Sequence, residues 1–236
     1  MNGAGNSEVA HAACGGGRCS GALPTQNYVL AVAIIAAVTG VAWWLNAHTG
    51  FPLGRWAFMV APGARLPLGF PVWLPGLAVL ALLSARGTAR LLLEGRPRGR
   101  NHGLWLLALS SALATLTHTA ADLVATRRLG WWAWASELRW NGIALWPIVG
   151  TWGVLTLALA LATPALLDKR SNPRPTPRRA WLAWFVPTLL AAVAALGCAS
   201  DAAVAVLAAP TLLVGALAFQ RSRDAAPDCA LPATPE

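Results

Sequence analysis

Six apolar runs, at 28–45, 66–85, 103–125, 143–167, 180–199 and 202–219, limit what this chain can fold into. A helix crosses the hydrocarbon core of a bilayer with about 20 apolar residues, roughly 17–25 being tolerated. All six runs fall in that range. Inside lipid the backbone N–H and C=O groups have no water to pair with, so each run must satisfy its own hydrogen bonds as a helix. The expected fold class is therefore all-α: a polytopic membrane helix bundle of about six transmembrane helices. The second run is the least regular at its start, where Pro67, Pro71 and Pro75 interrupt it. The expected organisation is a disordered N-terminal tail at 1–26, a transmembrane domain at 27–220 and a disordered C-terminal tail at 221–236. The first run is long enough to span, so it reads as a retained helix and not as a removable signal peptide.

Composition agrees. Hydrophobic residues make up 56% of the chain and charged residues only 11%, against about 25% charged in a soluble domain. The net charge of +9 does not mark a nucleic-acid binder, because the basic residues sit in short loops between apolar runs and form no soluble basic face. Cys14, Cys19, Cys198 and Cys229 form no disulfide framework. His11, Cys14 and Cys19 lack the fourth ligand of a metal clip, so no metal site is expected.

The loops set the orientation. If six helices alternate, 13 of the 18 basic residues fall on one side and 5 on the other. The excess includes Arg86, Arg90, Arg96, Arg98 and Arg100 after the second run and Lys169 to Arg179 after the fourth. The positive-inside rule then places both termini in the cytoplasm of a bacterial-type inner membrane.

The outer connections are unusual. Residues 130–152 hold six of the 13 Trp, at 131, 132, 134, 140, 146 and 152. Another connection, at 49–58 followed by 66–75, carries Trp56, Phe58 and Trp73 among Gly and Pro. Such density of Gly and Pro specifies shaped turns, so the two connections are expected to fold against each other as a cap over the bundle. One reading of the Trp residues is an aromatic belt at the membrane–water boundary. The other is an aromatic-walled pocket for an apolar ligand, with Trp56, Phe58, Trp131, Trp132, Trp134, Trp140 and Asn141 as its candidate lining.

Between these connections, His118 and Asp122 share one helix face at i, i+4. An ionisable group inside a span costs about 2.5–3.5 kcal/mol at the centre and less near the edge, which makes it a candidate for function. The alternative is that Asp122 simply pairs with His118, Arg127 or Arg128. Glu137 stands beside Arg139 and Asn141 in the Trp-rich turn. It is either one half of a solvated pair or a carboxyl held among aromatics as a proton donor. Asp122, Glu137 and His118 are the candidate catalytic residues.

An ordered set of short elements resembles the membrane-bound carotenoid hydratases, a family of carotenoid biosynthesis membrane proteins. Thr49-Gly50-Phe51-Pro52-Leu53-Gly54-Arg55-Trp56-Ala57-Phe58 is similar to the family's Thr-Gly-x-Pro-Phe-Gly-x-Tyr-x-Tyr. Leu68-Gly69-Phe70-Pro71 is similar to its Leu-Gly-Val-Pro, and Thr119-Ala120-Ala121-Asp122-Leu123 to its Thr-Ala-x-Asp-Leu. Gly130, Trp132 and Trp134 meet a Gly-x-Trp-x-Trp element. Trp140 to Thr151 follow a Tyr-x-Gly-Ile-Pro-x-x-Asn-x-x-Gly-Trp element at the expected spacing. The chain departs from the pattern where Trp56, Phe58 and Trp140 replace tyrosines, Pro147 an Asn, and Trp43 an acidic residue.

The resemblance implies addition of water to the terminal double bond of an acyclic carotenoid end group, a hydro-lyase activity that needs no cofactor. An acid protonates the alkene, aromatic faces stabilise the tertiary cation, and water attacks. The implied partners are a carotenoid or other isoprenoid substrate, membrane lipid and other enzymes of the carotenoid pathway. A carotenoid-binding or accessory protein without turnover is the alternative, followed by a small transporter.

Overall fold

The computed structural model describes residues 25–59, 70–71, 73–94, 101–135, 138–140, 143–167, 181–195 and 201–224. Six α-helices account for most of them: α1 Thr25–Thr49, α2 Trp73–Leu93, α3 His102–Leu123, α4 Leu145–Leu166, α5 Leu182–Ala194 and α6 Asp201–Asp224. All but α5 are long and apolar enough to cross a membrane. The helical membrane bundle expected from the apolar runs is the observed architecture. At about 1.5 Å per residue, the 13 residues of α5 span only about 20 Å. The expected sixth span is thus shorter than the run at 180–199, and residues 196–200 lie outside the described set.

Two boundaries move for physical reasons. The second helix starts at Trp73 and not at 66, which leaves Pro67 and Pro71 ahead of it and puts Pro75 in the first turn. A first-turn N–H has no intrahelical acceptor, so proline is tolerated there. The same helix runs on to Leu93, so Arg86 and Arg90 are helical and not loop residues. Arg86 is buried and its Nη2 donates to the Leu166 carbonyl at 3.4 Å, at the C-terminal end of α4. Likewise α6 continues through Arg221 and Arg223 into the expected C-terminal tail. Arg221 Nη1 donates to the Glu94 carbonyl at 2.7 Å. These two bonds gather the ends of α2, α4 and α6 at one end of the bundle, as an alternating topology requires. The N-terminal tail, with His11, Cys14 and Cys19, lies outside the described residues.

The inward faces of α2 and α4 are rich in alanine, and leucines stand on their outward faces. On α2 the buried stripe is Ala78, Ala81, Leu82, Ala85 and Ala89, while Leu80 is 70% exposed. On α4 it is Leu155, Ala158, Leu159 and Ala162, while Leu157 and Leu161 face out. Both stripes follow the i, i+3, i+4, i+7 pattern of one helix face. Lipid is as apolar as leucine, so leucine gains nothing by leaving it; alanine lets helix backbones approach closely and gain dispersion contacts. Hydroxyls in the spans bond back to the preceding turn, as Thr39 does to the Ile35 carbonyl at 2.7 Å and Thr115 to Ser111 at 2.8 Å. Helices α3 and α5 also share polar links. Thr117 and Thr188 hydroxyls meet at 2.8 Å, and Trp184 Nε1 donates to the Leu113 carbonyl at 3.0 Å.

At the other end two short ribbons close the bundle. Strand β1, Trp56–Phe58, pairs antiparallel with β2, Trp132–Trp134. Strand β3, Arg139–Trp140, pairs with β4, Ile143–Ala144, which leads directly into α4. The expected folding of the two Trp-rich connections onto each other therefore takes the form of a β-ladder.

The turn before β1 is pinned by Asn46, 1% exposed, whose Oδ1 accepts from Leu53 N at 2.8 Å and whose Nδ2 donates to the Gly54 carbonyl at 3.0 Å. This turn packs on α4 at Gly150, where an added Cβ would meet the Pro52 carbonyl and Leu53 Cα. Gly150→Ala is therefore expected to cost roughly 1–3 kcal/mol by overpacking. Gly153→Ala, on the same helix with open space around it, is expected to be neutral or slightly stabilising. Thermal unfolding in detergent separates the two; equal melting temperatures would mean that the turn does not sit tightly on α4.

Candidate functional site

The site grows from the C-terminal end of α3. After Leu123 the helix widens into a π-turn, Val124–Arg128, in which Leu129 N donates to the Val124 carbonyl at 3.0 Å. Gly130, at φ +59°, then reverses the chain. Trp131 N donates back to the Ala125 carbonyl at 2.9 Å, and β2 begins. The reversal lays β2 beside the helix that carries Asp122.

In a strand, alternate side chains share a face. Trp132 and Trp134 accordingly point inward and Ala133 outward, and the register sets Trp56 opposite Trp134. The inward rings build a continuous aromatic array. Trp56 stacks between Trp43 of α1 and Trp134, with centroids 5.3 Å away on each side. Trp73 of α2 packs against Trp132 at 6.1 Å and Trp131 at 5.6 Å.

Both inward indoles aim their N–H at one carboxyl. Trp132 Nε1 donates to Asp122 Oδ1 at 2.9 Å. Trp134 Nε1 is shared between Oδ1 at 3.0 Å and Oδ2 at 2.9 Å. These indoles are the partners of Asp122, where pairing with His118, Arg127 or Arg128 was the alternative. Arg128 instead donates to the Ala194 carbonyl at 3.0 Å, and Arg139 to the Trp134 carbonyl at 2.8 Å. A carboxylate has about four lone-pair sites. Two N–H contacts fall on Oδ1 and one on Oδ2, so Oδ2 keeps a lone pair for a proton.

Asp122, Trp132 and Trp134 line two cavities and form the wall between them. The first cavity, about 40 Å³, is lined by Trp43, Trp73, Leu74, Leu77, Pro147 and Ile148, with His118, Thr119 and Thr151 as its other polar residues. That space suits water-sized molecules. Trp73, 37% exposed, is the least buried of those walls. The second cavity, about 170 Å³, is half polar and half apolar and adds Thr126, Arg127 and Arg139. His118 is 6% exposed, and its Nε2 is the one buried side-chain polar atom among the described residues without a hydrogen-bond partner. Such an atom costs about 1–3 kcal/mol when left unpaired.

The sequence candidates thus separate. Asp122, His118, Trp132 and Trp134 meet at the first cavity. Trp56 and Trp131 stand behind it as ring neighbours. Trp140 is 41% exposed on β3 and is not among the residues lining these two cavities. Phe58 belongs to β1 opposite Trp132. Glu137 and Asn141 lie outside the described residues. Sequence reasoning missed Trp43, Trp73 and Thr151 as lining. Its clearest overlooked signal was the period-2 alternation of Trp56-Ala57-Phe58 and Trp132-Ala133-Trp134, which marks two half-buried strands.

No family model, no curated protein and no solved structure matches the chain.

The β1–β2 register makes a direct prediction. Ala57 and Ala133 face each other and both are exposed. In a background with the four native cysteines replaced by serine, Ala57→Cys with Ala133→Cys is expected to form a disulfide under mild oxidation. The offset pair Ala57→Cys with Ala135→Cys should cross-link far more slowly. The opposite ranking on a non-reducing gel would mean a different register.

Proposed function

We propose that this chain is a membrane enzyme that adds water to the terminal double bond of an acyclic carotenoid or related isoprenoid end group. The observation that carries this reading is Asp122, a single carboxyl set by two indole N–H groups at the end of an aromatic cavity. The ordered elements shared with the carotenoid hydratases support it, and Asp122 lies in one of them.

The chemistry assigns a task to each group. The proton on Oδ2 of Asp122 passes to the less substituted alkene carbon and leaves a tertiary cation. The faces of Trp43, Trp73, Trp132 and Trp134 stabilise that cation, each by up to about 2 kcal/mol when water is excluded. Water adds to the cation and loses a proton, which restores the acid. The product is a tertiary alcohol and no redox partner is needed. The apolar tail of the substrate lies toward lipid past Trp73, and the end group reaches Asp122 when that ring swings aside.

A second reading has its own observation. Both lone pairs of Asp122 Oδ1 are taken up by indoles, as expected of a residue that ties the cap to the bundle. On that reading the chain binds carotenoid, or assists partner enzymes, without turnover.

Expression in a bacterium that accumulates an acyclic-ended carotenoid tests both. The hydratase reading expects a pigment heavier by one water, and its loss in Asp122→Asn at equal membrane content. Unchanged pigment together with a coloured purified protein would favour the binder. For orientation we propose cytoplasmic termini in a bacterial-type inner membrane, from the basic excess at the α2, α4 and α6 ends. A green fluorescent protein fused after Asp224 is then expected to fluoresce; a dark fusion at full expression would reverse the topology.

A further inference from the structure

We propose that His118 Nε2 is a hydrogen-bonding subsite for a ligand hydroxyl, so that the aromatic cavity selects an apolar isoprenoid bearing one terminal alcohol over the corresponding hydrocarbon. The inference rests on reading this cavity as an isoprenoid end-group site, and it assigns the residue that holds the oxygen.

Three observations converge. His118 lines the same cavity as Asp122 and sits one helical turn before it on α3. Its Nε2 is buried and has no partner in the protein. The other polar groups at the cavity are already engaged or weaker candidates. Asp122 takes both indole N–H groups, and the Thr119 hydroxyl donates to the Thr115 carbonyl at 2.9 Å. The remaining lining is indole, leucine, alanine, proline and isoleucine, with the Thr151 hydroxyl as its one further polar group. The chemistry that completes this site is one O–H on an otherwise apolar molecule. Its hydrogen bonds with Nε2, and its carbon skeleton packs on Trp43, Trp73 and Trp132.

In the proposed reaction this subsite holds the oxygen that adds to the cation. The O–H bond of the attacking water breaks with its proton passing to Nε2. That proton then moves to Asp122, one turn away, and the carboxylic acid is restored. Water is consumed, one C–O and one C–H bond form, and nothing is oxidised or reduced.

The test is binding, which does not require turnover. Purified protein in detergent is titrated with three probes: an acyclic carotenoid hydrocarbon, its terminal tertiary alcohol, and the methyl ether of that alcohol, followed by quenching of Trp fluorescence. The wild type is expected to bind the alcohol about tenfold more tightly than the hydrocarbon, the worth of one net hydrogen bond. His118→Leu is expected to lose that preference while still binding the hydrocarbon, and His118→Gln to keep part of it. The methyl ether needs no mutant, so it covers the case in which His118→Leu fails to fold. It has no O–H to donate, so with Nε2 as the acceptor nitrogen of the neutral ring it is expected to bind like the hydrocarbon. Equal binding of all three probes by the wild type, or a preference unchanged in His118→Leu, would overturn the subsite. Failure of hydration in the pigment assay with the alcohol preference intact would overturn only the hydratase reading. Hydration without any alcohol preference would overturn only the subsite.

Discussion

A carboxyl group in an apolar setting must find donors, and an indole N–H there must find an acceptor. In this protein the two needs answer each other. Asp122 offers oxygens from the end of α3, and Trp132 and Trp134 bring their N–H groups from β2. That match fixes the distance between the strand and the helix, and with it the plane of both rings. Trp56 then stacks on Trp134 and Trp43 on Trp56. Most of the cap is thus placed relative to the bundle by one polar contact and a chain of ring contacts built on it.

Asn46 plays a comparable part on α1. It is fully enclosed, and its amide supplies one donor and one acceptor to the backbone of the turn that follows. Among the described residues the helices are also tied to one another by the Thr117–Thr188 and Trp184–Leu113 links and, at the far end, by Arg86 to the Leu166 carbonyl. Among the described residues, the side-chain bonds that place the ribbons and the turn after α1 lie at the end where the cavities are. The spans supply a close-packed support, and the cap supplies geometry.

The spans were readable because their cause is local: twenty consecutive apolar residues have one solution in lipid. Helix ends were less so. The start of α2 was set by prolines whose effect depends on which turn they occupy, and Arg86 stays inside the helix, buried where the end of α4 lies beside it. Asp122 and His118 stood out as ionisable residues inside a span, and Trp132 and Trp134 as neighbours in a Trp-rich turn. Their pairing was not readable, because it depends on the π-turn and on Gly130 reversing the chain at one particular angle. Trp43 and Trp73 arrive from two other helices, and no local pattern in the chain announces that convergence. Trp140 resembles its neighbours in sequence but sits on the second ribbon, a difference of placement and not of residue type.

The inward alanines of α2 and α4 carry a consequence for how such a chain tolerates change. In a water-soluble protein the interior is where bulk is needed and the surface is where variation is free. Here bulk stands outside, at Leu80, Leu157 and Leu161, against a solvent that accepts nearly any apolar shape. The interior is held by what its side chains lack. Ala78, Ala85, Ala89 and Ala162 have no exposed surface at all, so the information that fixes the bundle resides in its smallest residues. A conservative-looking gain of two or three methyl groups at those positions would separate the helices, whereas the loss of as many from the lipid-facing leucines would scarcely be felt.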